Sequence, residues 1–470
     1  MSAAWTPPSR PRDLPSALTP SRISKPRHSG RPPQLGRIMS VLYSWPARRR
    51  LRFPRHFALL TDHGAMRSIK IPRVVLLLAG VAGLSGWTLA LLVLSGRIGL
   101  LGPGTDWLAF YGAARAYLDG HLALIFDPEA FTAHLNSEFG WWLVEPLAFR
   151  PWVYPPGFLL LVLPFGMLPL AGSYVLFQLA SGTALAGALA FKADRPDVRR
   201  LIIASAFLSF GAAANIMQGQ NGFLTAAFLI GGWRAIRSSP LLGGALLGMV
   251  TVKPQFWLLV PVALVALREW KALASCIGSA VVLAAASAAL FGIDAWLHWI
   301  DFALHPGEWI PNARIFGTSY FSLITAGIGL SGKLADAIQM TVTAASAVVV
   351  YLSCRATMPR DQQLAILLAA ALIAAPHSSY YDTVLLAIAA TLWIVDAAER
   401  GSALLRSEFA LFVWTAPLFE AEVGRGFVPL LATAFIAVVL ACRMRDAGAR
   451  PELTRPAMAP GRERRAGRSG

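Results

Sequence analysis

Residues 74–94 read VVLLLAGVAGLSGWTLALLVL, an apolar run of 21 residues without a charged side chain. A helix of about 20 apolar residues spans the roughly 30 Å hydrocarbon core of a bilayer. The run begins too late in the chain, and is too long, to be the apolar part of a cleaved signal peptide. We therefore predict that it is retained as the first membrane-spanning helix.

The composition of the whole chain is typical of a membrane protein. Of the 470 residues, 56% are apolar and only 14% are charged, whereas soluble domains carry about 25% charged residues. Further apolar segments follow the first at roughly 156–169, 171–190, 199–217, 221–236, 240–252, 255–267, 272–291, 335–354, 363–376, 383–398, 408–419 and 427–442. This pattern excludes a chain of soluble domains.

The net charge of +17 is concentrated at the two ends of the chain. Residues 1–73 hold 15 Lys and Arg against 2 Asp and Glu, and residues 443–470 hold 8 against 3. The cytoplasmic excess of Lys and Arg next to membrane spans explains this charge without a nucleic-acid partner. We predict a disordered basic cytoplasmic tail at 1–72, a transmembrane domain at 73–442 and a second basic cytoplasmic tail at 443–470, in the inner (cytoplasmic) membrane.

Two cytoplasmic termini require an even number of crossings, so the thirteen apolar segments predict about 12 spans. The same count requires an odd number of crossings in region 153–190, where a half-span is expected. The stretch 96–152 has few basic residues and is predicted to be extracytoplasmic. Within it, DWLAFYGAARAYLD (106–119) has apolar residues at helical spacing, as in an interfacial helix. The predicted fold is an all-α polytopic transmembrane bundle whose short first loop carries interfacial helices.

Several polar residues are not explained by membrane insertion, and by this topology they all lie on one side. They are Asp106, Tyr154-Pro155-Pro156, Gln218-Gly219-Gln220-Asn221, Lys253 and the segment from His377 to Asp382. Each has a structural explanation by itself: Asp106 as a helix N-cap, Lys253 reaching for the headgroups, His377 and Asp382 as an interfacial pair. Polar groups at membrane depth usually serve a purpose, so their shared side favours a common functional site.

The sequence contains no recognisable metal or nucleotide motif. Cys276, Cys354 and Cys442 lie in or at the end of apolar segments without a paired spacing, and neither a phosphate-binding loop nor a dinucleotide fingerprint is present. We expect no cofactor and no metal centre, although dependence on a divalent cation stays open.

An ordered set of motifs covering roughly residues 74–400 resembles glycosyltransferase family 87. The motifs are Asp-x-x-x-Phe-Tyr-x-Ala-Ala from Asp106, Phe126-Asp127-Pro128, Tyr154-Pro155-Pro156, Gly219-Gln220-Asn221, Lys253-Pro254, and Pro376-His377 followed by Tyr381-Asp382. The resemblance implies a GT-C fold and the transfer of a hexose, with mannose expected, from a polyprenyl-phosphate-linked donor on the extracytoplasmic face. Its partners would be that donor, a glycolipid or glycan acceptor, and membrane lipid.

The same resemblance implies roles for individual residues. Asp106 would be the catalytic base of a single inverting displacement, taking the proton of the acceptor hydroxyl. Residues expected to bind the donor phosphate and lipid are Lys253, His377 and Tyr154. Residues expected to contact sugar or acceptor are Gln220, Asn221, Asp382 and Tyr111.

Two other classes of function remain open at this point. A transporter or lipid-linked-sugar flippase would place charges near the bilayer midplane or show two related halves, and a non-catalytic assembly subunit would tolerate replacement of Asp106. The tryptophans Trp296, Trp299 and Trp309 admit two interpretations as well, stacking on a sugar or an aromatic belt at the membrane interface.

Overall fold

The computed structural model describes residues 73–95, 103–193, 195–305, 320–330, 332–399, 404–419 and 427–448. All regular structure in these ranges is helical. The predicted tail at 1–72 and the residues after 448 lie outside the described part, as does Trp309. The last helix continues to Gly448, beyond the predicted start of the second tail at residue 443.

In chain order the α-helices are α1 Arg73–Leu94, α2 Thr105–Leu118, α3 Pro128–Phe139, α4 Pro156–Gly166, α5 Leu170–Ala190, α6 Pro196–Leu208, α7 Phe210–Gln218, α8 Gly222–Ala235, α9 Pro240–Gly248, α10 Pro254–Trp257, α11 Val260–Leu267, α12 Trp270–Phe291, α13 Ile293–Leu304, α14 Tyr320–Ser322, α15 Gly332–Arg355, α16 Arg360–Ala374, α17 Val384–Glu399, α18 Leu404–Thr415 and α19 Phe427–Gly448. Short 3₁₀ or π segments are Leu122–Phe126, Gly140–Trp142, Met249–Val252, Leu323–Gly327, Tyr380–Thr383 and Ala416–Phe419. All thirteen predicted apolar segments are helical.

Proline determines where many of these helices begin. It stands in the first turn of α3, α4, α6, α9, α10 and α11. The first turn has no intrahelical partner for its N–H groups, so the missing N–H of proline costs nothing there. The same residue type ends the preceding segment, which divides the apolar sequence into short helices.

Several of the helices have the length and the apolar surface of membrane spans. Four of them, α5, α12, α15 and the part of α19 over Phe427–Met444, are long and apolar enough to cross a bilayer, and α6 with α7 adds a fifth if this pair, bent by 53°, is one span. Large apolar side chains such as Leu179, Val282 and Met340 are exposed on these helices. Exposed apolar surface of this kind suits contact with lipid. The prediction of an all-α membrane protein is confirmed, while the number of about 12 spans stays a prediction.

In region 153–190, where a half-span is expected, the structure has the short helix α4 followed by the long helix α5. Helix α4 is only 11 residues long; near its start Phe158 packs on Phe110 with ring centroids 4.9 Å apart, and a Cβ built on Gly166, its last residue, would lie 2.7 Å from Ala114 Cβ. Phe110 and Ala114 both belong to α2, so α4 runs alongside α2. The 21-residue α5 then makes the single long passage of this region.

The central helices of the bundle run between its two ends, and polar side chains gather at each end. Every residue from Gln362 to Ala374 in α16 is buried, as expected for a helix surrounded by others. The end of the bundle that we call the Arg360 end holds a hydrogen bond from Trp233 Nε1 to the Arg360 carbonyl at 3.2 Å and an ion pair of Arg360 with Glu269 at 3.5 Å. The opposite end, called the Asp106 end, carries the polar residues singled out in the sequence.

Candidate active site

Two tight turns bring the Asp106 and Gln220 segments together. Gly104 precedes α2 with φ +67°, and Gly219 follows α7 with φ +73°, a region that favours glycine. The Gly104 N–H donates to the Met217 carbonyl at 2.8 Å. A Cβ on Gly219 would lie 2.5 Å from Trp107 Cβ. The absence of both side chains therefore lets the first turn of α2 lie directly against the turn between α7 and α8.

The Asp106 carboxylate is held by two side chains from different parts of the chain. Arg150 Nη1 donates to Oδ1 at 2.5 Å, and Gln220 Nε2 donates to Oδ2 at 2.7 Å. The Asp106 side chain keeps 13% of its surface exposed. Each carboxylate oxygen has a second lone pair, so the group is oriented and can still accept a proton.

Gln220 is itself fixed by a buried network. Its Oε1 accepts from the Tyr154 hydroxyl at 3.0 Å and from the Asn221 backbone N–H at 3.3 Å. Its backbone carbonyl accepts from Gln178 Nε2 at 3.2 Å, and Gln178 Oε1 accepts from Asn215 Nδ2 at 3.0 Å. Predicted as a direct sugar contact, Gln220 is 3% exposed and instead positions the carboxylate of Asp106.

Tyr154 likewise has a different partner from the one predicted. It is buried and its hydroxyl bonds to Gln220 rather than facing a donor phosphate. Burial raises the pKa of Tyr154 well above its usual value, and the nearby carboxylates of Asp382 and Asp106 raise it further. The phenol therefore stays protonated and donates its hydrogen bond to Gln220 Oε1.

Lys253, the cation predicted for the donor phosphate, lies in a closed ion pair. Its Nζ is 2.5 Å from Asp382 Oδ1, and the two side chains are 3% and 2% exposed. The ammonium also lies 4.9 Å from the ring centroid of Tyr381 and 5.3 Å from that of Phe256. This environment excludes direct contact with a ligand, because a protein carboxylate and two aromatic rings surround the charge.

Both oxygens of Asp382, which was predicted to contact sugar or acceptor, already have partners within the protein, and its side chain is 2% exposed. Oδ1 holds Lys253, and Oδ2 accepts from the Ser379 backbone N–H at 3.0 Å in a reciprocal capping arrangement at Tyr380–Thr383. The residue is a counter-ion and a cap, and it fixes the turn that carries His377.

His377 faces outward from this turn. Its side chain is exposed and forms no hydrogen bond within the described part of the chain. The surrounding protein nevertheless displaces water from its sides, which lowers the pKa of the imidazole; Asp382 opposes this effect and Lys253 adds to it. A neutral imidazole at the edge of the site keeps one N–H available as a donor.

The two remaining predicted residues differ in their placement. Asn221 is fully buried beside the Tyr154 hydroxyl, and neither polar atom of its side chain has a hydrogen bond of normal geometry in the described residues. Tyr111 lies apart from the cluster, because its hydroxyl donates to the Leu168 carbonyl at 2.9 Å. Its ring packs against Phe139, with the ring centroids 5.5 Å apart. Tyr111 therefore attaches α2 to the α4–α5 turn and does not face the candidate site.

Sequence reasoning missed Arg150 and Tyr380. The Tyr380 hydroxyl accepts from Gln218 Nε2 at 2.7 Å, and burial together with Asp106 raises its pKa to about 12. A signal for Arg150 is present, since few basic residues occur in the stretch 96–152 that is predicted to lie outside. No local pattern identifies its carboxylate partner, which is 44 residues away.

An aromatic cleft lies between the first loop and α13. Its lining includes Phe126, Trp152, His298 and Trp299. His298 stacks on Phe126 with ring centroids 4.9 Å apart, while Trp299 Nε1 donates to the Val153 carbonyl at 3.4 Å. The helix α13 is thereby tied to the segment that joins Arg150 to Tyr154.

The described residues contain no group of three or more His, Cys, Asp or Glu side chains placed to hold a metal ion. Within the site, Asp106 is a partly exposed carboxylate and Arg150 is the adjacent cation. Such a pair is suited to accept a proton and to hold an anionic group at neighbouring positions.

The family model of glycosyltransferase family 87 matches residues 152–376. The matched segment contains Gln220 and Lys253, and their partners Asp106 and Asp382 lie outside it. Comparisons with curated proteins and with solved structures found no match. The match covers just under half of the chain and supports its membership of glycosyltransferase family 87; together with the long apolar helices it supports a membrane glycosyltransferase.

Proposed function

We propose that the protein transfers a hexose, mannose in the first instance, from a polyprenyl-phosphate-linked donor to a hydroxyl of a lipid or glycan acceptor on the extracytoplasmic face. The observation that carries this proposal is the Asp106 carboxylate, which is partly exposed and held by Arg150 and Gln220. A carboxylate in this setting suits the task of a general base.

The reaction that we propose is a single displacement at the anomeric carbon. The acceptor oxygen forms a bond to that carbon while the bond from the carbon to the phosphate oxygen breaks, with inversion of configuration. The electron pair leaves with the polyprenyl phosphate, and the proton of the acceptor hydroxyl passes to Asp106. Gln220 keeps the carboxylate aligned through its amide N–H.

The sidedness of the proposal depends on charge. The Arg360 end carries Arg234, Arg355 and Arg360 within the described residues, and the sequence before the first apolar run is strongly basic. Lys and Arg are in excess on the cytoplasmic side of membrane proteins. The Asp106 end then faces outward, where a lipid-linked donor and a growing envelope glycan meet.

The test is transfer of radiolabelled mannose from synthetic polyprenyl-phosphate-mannose to an endogenous lipid extract, using membranes that carry the wild type or Asp106→Asn. Asn keeps the size of the side chain and removes the base. Removing a general base costs on the order of 100-fold or more in rate, so the labelled product should fall below a hundredth of the wild-type amount at equal protein level.

Asp119→Asn is the matched control. Asp119 lies on the same helix, α2, and its exposed carboxylate pairs with Arg115 at 2.8 Å, away from the cluster. This variant should retain wild-type transfer. Equal transfer by Asp106→Asn and Asp119→Asn would contradict the role of Asp106, and transfer by none of the three proteins would contradict the donor class and favour the transporter or flippase alternative.

A further inference from the structure

A lipid phosphate donor brings a negative charge into the site. The two nearby cations, Lys253 and Arg150, differ in how much of their side chains a ligand could reach. Lys253 is 3% exposed and closed off by Asp382. Arg150 has 29% of its side chain exposed, and its contact with Asp106 involves a single nitrogen, Nη1. The cation that faces the site is therefore not the one that the sequence motif singled out.

Arg150 is held in place by its backbone and by its guanidinium group. Its backbone N–H donates to Thr132 Oγ1 at 2.9 Å, and that hydroxyl in turn donates to the Pro128 carbonyl at 2.7 Å at the start of α3. Its guanidinium is fixed by Asp106. The Nε atom is buried without a hydrogen-bond partner in the described residues. A buried donor of this kind normally has a partner, because its desolvation is otherwise uncompensated.

We propose that Arg150 binds the phosphate of the donor, with Nη1 remaining on Asp106 and the other guanidinium N–H groups turned to phosphate oxygens. This inference rests on the proposed function, and it adds a binding residue that lies outside the family-matched segment. A guanidinium is planar and carries several N–H donors, so one side chain can serve two anions at once.

The charge change of the reaction explains why a cation belongs there. In the donor, the phosphate is a diester with about one negative charge; after the bond to the anomeric carbon breaks, the polyprenyl phosphate is a monoester whose second pKa lies near 6. Negative charge therefore grows on the oxygen that leaves. A fixed guanidinium beside it stabilises the transition state more than the bound donor.

The arrangement also connects the base to the leaving group. Asp106 and the phosphate would each contact a different nitrogen of the same guanidinium, with Nη1 on Asp106. Each anion helps to orient the cation for the other. Arg150 is accordingly a binding residue for the donor and a positioning residue for Asp106, and the two roles can be separated by experiment.

The experiment uses the purified full-length chain in detergent with the substitution Arg150→Gln. Gln can still donate a hydrogen bond to Asp106 but has no charge. Two quantities are measured: the KM for the donor in the transfer assay, and the thermal stabilisation of the protein by a short-chain polyprenyl phosphate without sugar. Loss of a charge-assisted contact weakens binding by about tenfold or more, so both the KM and the half-saturating polyprenyl phosphate concentration should rise at least that much.

Three further variants distinguish loss of the Arg150 charge from loss of the base and from general damage to the fold. Arg150→Lys restores a point charge without the fork and should recover part of the affinity. Asp106→Asn should lose transfer but keep polyprenyl phosphate binding, because it removes the base and leaves the cation. Arg115→Ala, on the same helix as Asp106 and paired with the exposed Asp119, should behave as wild type in both measurements.

The inference is overturned if Arg150→Gln binds polyprenyl phosphate as the wild type does, even when its transfer rate falls. It is also overturned if Arg150→Gln and Asp106→Asn lose binding equally, since Arg150 would then only support the fold around the carboxylate. A wild-type protein that binds polyprenyl phosphate but transfers no sugar contradicts the proposed function alone, and the binding comparison still decides the role of Arg150.

Discussion

Lys253 and Asp382 carry opposite charges at a depth where water does not reach them, with side chains 3% and 2% exposed. A charge in such a place is expensive unless a partner neutralises it. The pair links the turn after α9 to the turn before α17, and both turns border the Asp106 cluster. At the scale of residues, the pair is therefore a support for the site rather than a part of its surface.

The ion pair leads to a prediction about stability. Lys253→Met should leave the Asp382 carboxylate buried without a counter-ion, which costs about 3–5 kcal/mol. Combining it with Asp382→Asn removes both charges and keeps an oxygen for the Ser379 N–H. We expect the double variant to unfold at a higher temperature than Lys253→Met alone, as measured by thermal denaturation in detergent.

A double-mutant cycle completes this measurement. Both single variants and the double variant are compared at the same pH, and the wild type sets the reference. If the losses of the two single variants simply add in the double variant, the two charges do not interact and the buried pair has no stabilising role. Recovery in the double variant supports the pairing seen between Nζ and Oδ1.

Helix α9 reaches the site only because it packs unusually close to α12. A Cβ on Gly244 would lie 2.1 Å from the Ala272 carbonyl oxygen, and a Cβ on Gly248 would lie 2.2 Å from the Cys276 carbonyl oxygen. The two glycines are four residues apart and form one face of α9. Small residues at this spacing let helix backbones approach in membrane proteins, and the register of this contact sets the position of Lys253, five residues after Gly248.

Gly244→Ala should force α9 and α12 apart, because the nearest atom is backbone and cannot turn away. Overpacking of this kind costs typically about 1–3 kcal/mol. We expect a lower unfolding temperature in detergent and reduced sugar transfer. Gly278→Ala is the control on α12, since a Cβ there would meet nothing within 4 Å. Equal unfolding temperatures for the two variants would contradict the close contact.

For the whole molecule, helix lengths determine where the site lies. Along the α9–α12 contact, Gly248 lies opposite Ser279, with a Cβ 1.9 Å from its Oγ. The chain reaches Lys253 five residues later, whereas α12 continues from Ser279 to Phe291. At about 1.5 Å per residue, α12 extends roughly 10 Å beyond the level of Lys253. Lys253 thus lies below the end of α12.

The proposed sidedness can be tested on the whole molecule with cysteine labelling. In a chain whose Cys276, Cys354 and Cys442 are replaced by Ser, a single cysteine is introduced at His121 or at Arg237, both exposed. A membrane-impermeant thiol reagent should label His121→Cys in intact spheroplasts and Arg237→Cys only after lysis. The cysteine-free parent is the blank.

The opposite labelling pattern would place the Asp106 end in the cytoplasm. A donor held on the outer face could not then reach the site, so the proposed function would need a cytoplasmic donor. Labelling of both positions in intact spheroplasts would show that the reagent enters, and the parent chain detects that case independently.

Local sequence signals predicted most of the helices. Membrane insertion depends on the length of an apolar run, and proline in a first turn marks where a helix begins. The segment Pro156–Gly166 shows the limit of this reasoning, since its apolar sequence looks like part of a span. Its short length and its packing along α2 are seen only in the structure. The composition cannot distinguish a short helix packed against a neighbour from one end of a crossing.

The site shows the same division. In the structure the motif residues Asp106, Tyr154, Gln220, Lys253 and Asp382 lie near one another at one end of the bundle, because successive helices run up and down it. Their separate roles followed from hydrogen bonds between segments far apart in the sequence, which no local pattern encodes. Tyr111 was placed in the site by its motif, but its hydroxyl bonds to Leu168.

The sequence by itself determined that this chain is a helical membrane protein with a polar cluster at one end of its bundle, since apolar runs, prolines and charge asymmetry act locally. Only the tertiary structure decided which charges are available. It closes Lys253 against Asp382 and leaves Arg150 partly exposed beside Asp106. The physical reason is that access to a charge depends on burial and on partners, and both arise when helices distant in the chain pack together.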